Sequence, residues 1–221
     1  MITRKKKQLS PQSSQSGFTI IESLMAIVVV GALMTAIAPV IVLSVATRVQ
    51  ARRVEIASQA ARAYIDGIRS GAIAPPNTTV LPTTSQYFLN SVNAPTSSGS
   101  LTCTASTADY PYCQNTSTLS LYCFDLDGGG CNSTSPKDIT IQVFRSSVTS
   151  ASNDFQKGYR LGLRVYRANA FSDSTPLTKG TQQATFTAGL GNRKAPLVEM
   201  TTEISTEQTR FRDMCDRLGG C

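Results

Sequence analysis

From Ser23 to Thr47 the chain carries no charged side chain, and most positions are Ala, Val, Ile, Leu or Met. At about 1.5 Å per residue, such a run crosses the roughly 30 Å hydrocarbon core of a bilayer. Beyond it the pattern changes character. Arg48, Arg52, Glu55, Gln59, Arg62, Asp66 and Arg69 recur at intervals of four and three, which places them on one face of a helix. Val49, Ile56, Ala57, Ala60, Tyr64 and Ile68 fall on the other. The pattern predicts one helix from about Phe18 to about Arg69, apolar all round in its first half and amphipathic in its second. Gly71, Pro75 and Pro76 end it. The apolar stripe of the second half needs a sheet to cover it.

That sheet is legible further on as alternation at period two. Ile139, Ile141 and Val143 alternate with Thr140, Gln142 and Phe144. Leu161, Leu163 and Val165 alternate with Arg160, Gly162 and Arg164, and Val198, Met200 and Thr202 with Leu197, Glu199 and Thr201. Leu119 to Phe124 adds a fourth candidate strand. Such alternation predicts half-buried strands, and the Gly-, Ser- and Asn-rich connections favour antiparallel pairing over βαβ units. The basic row Arg160, Arg164 and Arg167 reads as a solvated strand face. If it binds anything, an acidic polysaccharide or a neighbouring subunit suits its charge. Residues 77–100, rich in Thr, Ser, Pro and Asn, read as a long surface loop with one apolar island at Tyr87, Phe88 and Leu89.

Charge refines the topology. The net charge is +7, and Arg4, Lys5, Lys6 and Lys7 lie just ahead of the apolar run. Basic residues there stay on the cytoplasmic side and send the remainder of the chain outward. Without those four the net falls from +7 to +3. Bulk electrostatic binding of nucleic acid is therefore poorly supported. Chemistry is scarce too. The chain has no histidine, hence no Ser-His pair, no Cys-His dyad and no imidazole metal ligand. No glycine-rich phosphate loop sits between a strand and a helix. The expectation is a structural and interaction protein, not an enzyme, with no cofactor.

One residue contradicts the apolar start of the helix. Glu22 sits among Phe18, Ile20, Ile21, Leu24 and Met25 with no basic residue in its own segment. A carboxylate at the edge of a membrane span is costly and is retained for a reason. Gly17-Phe18-Thr19, then Glu22, then the uncharged run resembles the class III signal of type IV pilins and type II secretion pseudopilins. The resemblance implies cleavage after Gly17 by a prepilin peptidase and methylation of the new N-terminal Phe18. It implies that Glu22 meets the α-amine of a neighbouring subunit during filament assembly. Pro39 matches a helix proline that, in that family, goes with local melting in the filament. The implied partners are the prepilin peptidase, other pilin or pseudopilin subunits, the inner-membrane assembly platform and the membrane itself. Ala46 to Glu55 and Ala63 to Ile68 are also similar to pseudopilins linked to hormogonium polysaccharide secretion in cyanobacteria.

The expected organisation is a cleaved leader at 1–17, a transmembrane half-helix at 18–47, an amphipathic half-helix at 48–70, and an exported loop-and-sheet head at 71–221. The fold class is α+β and pilin-like, with the distal half of the helix packed on a small antiparallel sheet. The expected location is the cytoplasmic membrane, single pass, with the head extracytoplasmic. An uncleaved signal anchor displaying a binding domain needs neither Gly17 nor Glu22. A secretory signal cut at Ala36-Ile37-Ala38 is opposed by Pro39 and by the apolar run beyond it.

Cys103, Cys113, Cys123, Cys131, Cys215 and Cys221 all lie in the head. An even number in an oxidising compartment predicts disulfides. Pairing of sequence neighbours (103–113, 123–131, 215–221) is the expected arrangement, although spacing alone does not select it. Zinc is disfavoured, because no pair has C-x-x-C spacing. Asp125-Leu126-Asp127-Gly128 resembles the opening of a calcium loop. The twelfth position, where an EF-hand needs Glu, is Pro136. A glycine-rich turn between strands is the plainer expectation.

Overall fold

The computed structural model describes residues 17–77, 79–80, 88–97, 101, 112–114, 120–146, 155–185, 191–218 and 221. The chain divides into two units, Met1–Ser44 and Val45–Cys221. A single helix, α1 (Ile20–Arg69), contributes to both. In the first unit it is solvent-exposed at every described position, and none of its most apolar window is buried inside the protein. An apolar helix that covers no core and is covered by none fits a lipid solvent.

In the second unit α1 turns amphipathic. Its buried stripe is Gln50, Val54, Ala57, Ala60, Ala61, Tyr64, Ile65 and Ile68. This stripe is rotated from the sequence expectation: Val49 is exposed and Ile56 only half-buried, whereas Gln50, Val54, Ala61 and Ile65 face inward. The predicted polar face, Arg48 to Arg69, is exposed throughout. Three alanines in the stripe let the helix backbone approach the sheet, and Tyr64 packs its ring 4.9 Å from that of Tyr122. Gly71 adopts φ +74°, a conformation a side chain would strain, and turns the chain out of the helix.

The sheet comprises β1 (Thr79–Val80), β2 (Tyr112–Gln114), β3 (Ser120–Phe124), β4 (Ile139–Ser146), β5 (Tyr159–Arg167) and β6 (Val198–Ile204). It is antiparallel in the order β2-β3-β4-β5-β6, and short β1 adds a parallel pair on β4. A terminal helix, α2 (Phe211–Leu218), follows. The architecture is α+β, a long N-terminal apolar helix with a small mixed sheet. Ile139, Ile141, Val143, Leu161, Leu163 and Val165 join the α1 stripe in the main core.

Strands β4 and β5 are not half-buried, whereas β6 largely is. Every residue of β4 and β5 is buried, because the second face is covered as well. Phe88 and Val92 pack on Phe144, and Tyr166, Ala170, Phe171 and Leu177 form a further cluster with Leu121, Cys113 and Cys123. The apolar island of the expected surface loop is thus partly an anchor, since Phe88 is fully buried with its ring 5.3 Å from Phe144. Gly162 makes this possible: a Cβ there would collide with both rings.

Candidate functional site

The N-terminal site begins at Gly17, where a Cβ would meet nothing within 4 Å, and at Phe18, which is 83% exposed. Both precede the helix and are open to solvent. Thr19 then caps α1. Its Oγ1 accepts a hydrogen bond from the Glu22 backbone N–H at 3.3 Å, and its carbonyl accepts from Ser23 N–H. The Thr-x-x-Glu spacing is a capping-box signature that marks Thr19 from sequence. Glu22 lies in the first turn, where the helix dipole favours an anion. No cation among the described residues pairs with it. Pro39 sits within α1, which continues through it, and has no N–H to offer the Thr35 carbonyl.

The head's charged residues behave differently. Arg160, Arg164 and Arg167, expected on a solvated face, are 6%, 0% and 5% exposed. They are also not one row. Arg160 and Arg164 point away from α1, whereas Arg167 shares the parity of Leu163 and Val165 and faces the α1 side. Burial was possible because partners sit directly opposite on neighbouring strands. Arg164 is in register with Gln142 of β4 and Glu199 of β6. Its Nε donates to Glu199 Oε1 at 2.7 Å and its Nη1 to Gln142 Oε1 at 2.9 Å, while Nη2 bonds the Leu89 carbonyl. Arg160 pairs with Glu203 at 2.7 Å, and Glu203 also accepts from Arg217 of α2 at 3.1 Å. Arg160 and Arg164 are structural glue between strands and α2, not a displayed binding face.

The Asp125 loop is likewise self-satisfied. Asp125 accepts the backbone N–H groups of Asp127, Gly128 and Gly130. The Gly130 N–H bond is the largest cause of a carboxyl pKa held below its ordinary value. Asp127 accepts Ser135 Oγ–H at 2.8 Å, and buried Asp138 accepts Leu126 and Asn132 N–H. A Cys123–Cys131 disulfide closes the loop, and Cys215 within α2 is bridged to Cys221. Cys113 is also disulfide-bonded, and Cys103 lies outside the described residues. These carboxylates hold a turn together.

No curated protein and no solved structure matches the chain. Residues 12–38 match the family model of the prokaryotic N-terminal methylation motif. That span contains Gly17, Phe18, Thr19 and Glu22 together with the first part of the uncharged run. The chain therefore carries a class III prepilin-type signal at the start of its apolar helix.

Proposed function

We propose that this protein is a minor pilin or pseudopilin, a structural subunit of a type IV pilus-like or secretion pseudopilus filament. The methylation-motif match across Gly17, Phe18 and Glu22 carries the proposal. In this reading residues 1–17 are removed and Phe18 becomes a methylated N-terminus. Residues 18–47 hold the subunit in the cytoplasmic membrane, with the head on the far side, until the assembly platform extracts it. Cleavage creates a cationic amine next to a carboxylate that has no partner among the described residues of its own chain. Within a filament the Phe18 amine of one subunit and Glu22 of another neutralise each other in an apolar setting where neither is tolerated alone.

The test is processing. Intact-mass analysis of the membrane fraction, in a host with an active prepilin peptidase, is expected to show a chain beginning at methylated Phe18. Gly17→Ala is expected to leave the leader attached, since a side chain at the scissile bond obstructs the peptidase. Full-length native protein under those conditions would refute the proposal and favour an uncleaved anchor.

A further inference from the structure

Among the described residues, every buried arginine of the head but one has a carboxylate or aromatic rings against it, Arg217 despite an Nη2 that lacks an acceptor. Arg164 has Glu199, Arg160 and Arg217 share Glu203, and Arg145 donates to the Pro76 carbonyl at 2.7 Å between two aromatic rings. Arg167 differs. It is 5% exposed, its buried Nε donates to nothing, and its one hydrogen bond is a 3.4 Å contact from Nη2 to the Asn192 carbonyl. The charges that act on it are both positive. Burial first, then Arg53 of α1 and Arg193, press its pKa down to about 10. Arg53 has no carboxylate partner among the described residues. Arg193 and Lys194 converge on the single carboxylate of Asp173. Gln183 bonds both Gln50 of α1 and the Asn192 carbonyl that Arg167 contacts, so α1, the end of β5 and the 192–194 turn come together around a guanidinium whose Nε lacks an acceptor. An uncompensated charge of this kind is destabilising, and an anion removes the penalty.

The surroundings indicate the anion. Arg53 follows the end of the uncharged run at Thr47 by six residues, about 9 Å along a helix. Headgroup layers extend roughly 5–8 Å beyond the hydrocarbon on each side, within reach of a long guanidinium side chain. Arg48 and Arg52 are exposed on the same turns, and clustered basic residues at this depth attract anionic lipid. Planar guanidinium forks suit the several oxygens of a phosphate better than they suit a lone carbonyl. We propose that Arg53, Arg167 and Arg193 form a phosphate-binding site, filled by the headgroup phosphate of an anionic lipid. The lipid source rests on the membrane-anchored reading above; the phosphate chemistry does not.

The full chain in detergent, titrated with inorganic phosphate at fixed ionic strength, provides the first arm. Its Tm is expected to rise saturably, and acetate is expected to leave it unmoved. Arg53→Gln, on a half-exposed helix position, should keep the phosphate-free Tm and weaken phosphate affinity at least tenfold. Arg167→Met should weaken it similarly while keeping or raising the phosphate-free Tm, because it removes an unpaired buried charge. Acetate acting as phosphate does, or Arg53→Gln binding phosphate as the native chain does, would overturn the site. In the second arm the chain is placed in phosphatidylglycerol or phosphatidylcholine nanodiscs. A higher Tm in phosphatidylglycerol, lost in Arg53→Gln and insensitive to added phosphate, supports the lipid source. A Tm that still climbs with added phosphate in phosphatidylglycerol discs overturns the lipid and leaves a soluble phosphate. Neither arm depends on filament assembly, so a failed processing test leaves the detergent result interpretable.

Discussion

The two ends of α1 treat charge in opposite ways. Its first turn carries Glu22 among exposed apolar side chains with no cation among the described residues to meet it. Its second half packs on a sheet that buries Arg160, Arg164 and Arg217, each with Glu199 or Glu203 within 3.1 Å. A buried charge is tolerated only when it is paired and hydrogen-bonded. For Arg160, Arg164 and Arg217 the head achieves this within one chain, with the acids of β6 facing bases on β5 and α2. The N-terminal unit does not, which under the proposed function makes its charge a demand for a second subunit. Under that reading the apolar run is one half of an interface.

The strongest way to break this contrast is to remove the unmet charge. Glu22→Ala is expected to leave membrane abundance and leader removal intact, because it deletes a carboxylate from an apolar segment. Filament or secretion output is expected to be lost, since the Phe18 amine of an incoming subunit meets no anion. Glu22→Gln should be nearly as severe, as it keeps shape without charge. Measuring abundance, processing and output separately in cells lacking the native copy decides it. Normal output at normal abundance would mean that the protein anchors a head without assembling.

The converse test breaks a met charge. Glu199→Ala strands fully buried Arg164, and removing one partner of a buried pair typically costs about 3–5 kcal/mol. Denaturant unfolding of the full chain should show that loss, whereas the joint change Arg164→Met with Glu199→Leu should recover most of it. A loss below about 1 kcal/mol for Glu199→Ala would show that water reaches Arg164 and that the pair is not dry.

Smaller effects sharpen the picture of how the head is closed. Cys215→Ser with Cys221→Ser opens a short loop behind α2, and loop-closure entropy predicts a loss of about 2 kcal/mol. The readout is the denaturation midpoint, with non-reducing mass mapping to check the remaining bridges. An unchanged midpoint would mean that Arg217 and Glu203 hold α2 without the bridge.

Acid provides the mildest perturbation. The folded pKa of Asp125 lies below its ordinary value of 3.8, chiefly through the Gly130 N–H bond. Its contribution is therefore present above the unfolded pKa and lost as pH falls below about 4 through the folded value. Asp125→Asn should reduce the stability difference between pH 7 and pH 3. An unaltered pH profile would mean that the Asp125 hydrogen bonds survive protonation.

The chain's local patterns were readable because each depends on neighbours along the sequence. An uncharged run long enough for a bilayer, a polar face repeating from Arg48 to Arg69, and period-two alternation at residues 139–143, 161–165 and 198–202 each mark an element from its own residues, although the burial of both faces of β4 and β5 depends on distant segments. The methylation motif is local for the same reason: Gly17, Phe18 and Glu22 lie within six consecutive residues at the helix start. Which arginines are buried is a different kind of question. Arg160, Arg164 and Arg167 look alike in the sequence, yet Arg164 is enclosed because Gln142, Glu199 and the Leu89 carbonyl converge from three distant segments. Arg167 looks out from the opposite face towards Arg53, 114 positions away in the chain. Phe88 likewise turns a polar stretch into a lid only because Gly162 leaves room for it. Burial of a charge depends on who stands opposite, and register between strands, unlike periodicity within one, is settled only when the chain has folded.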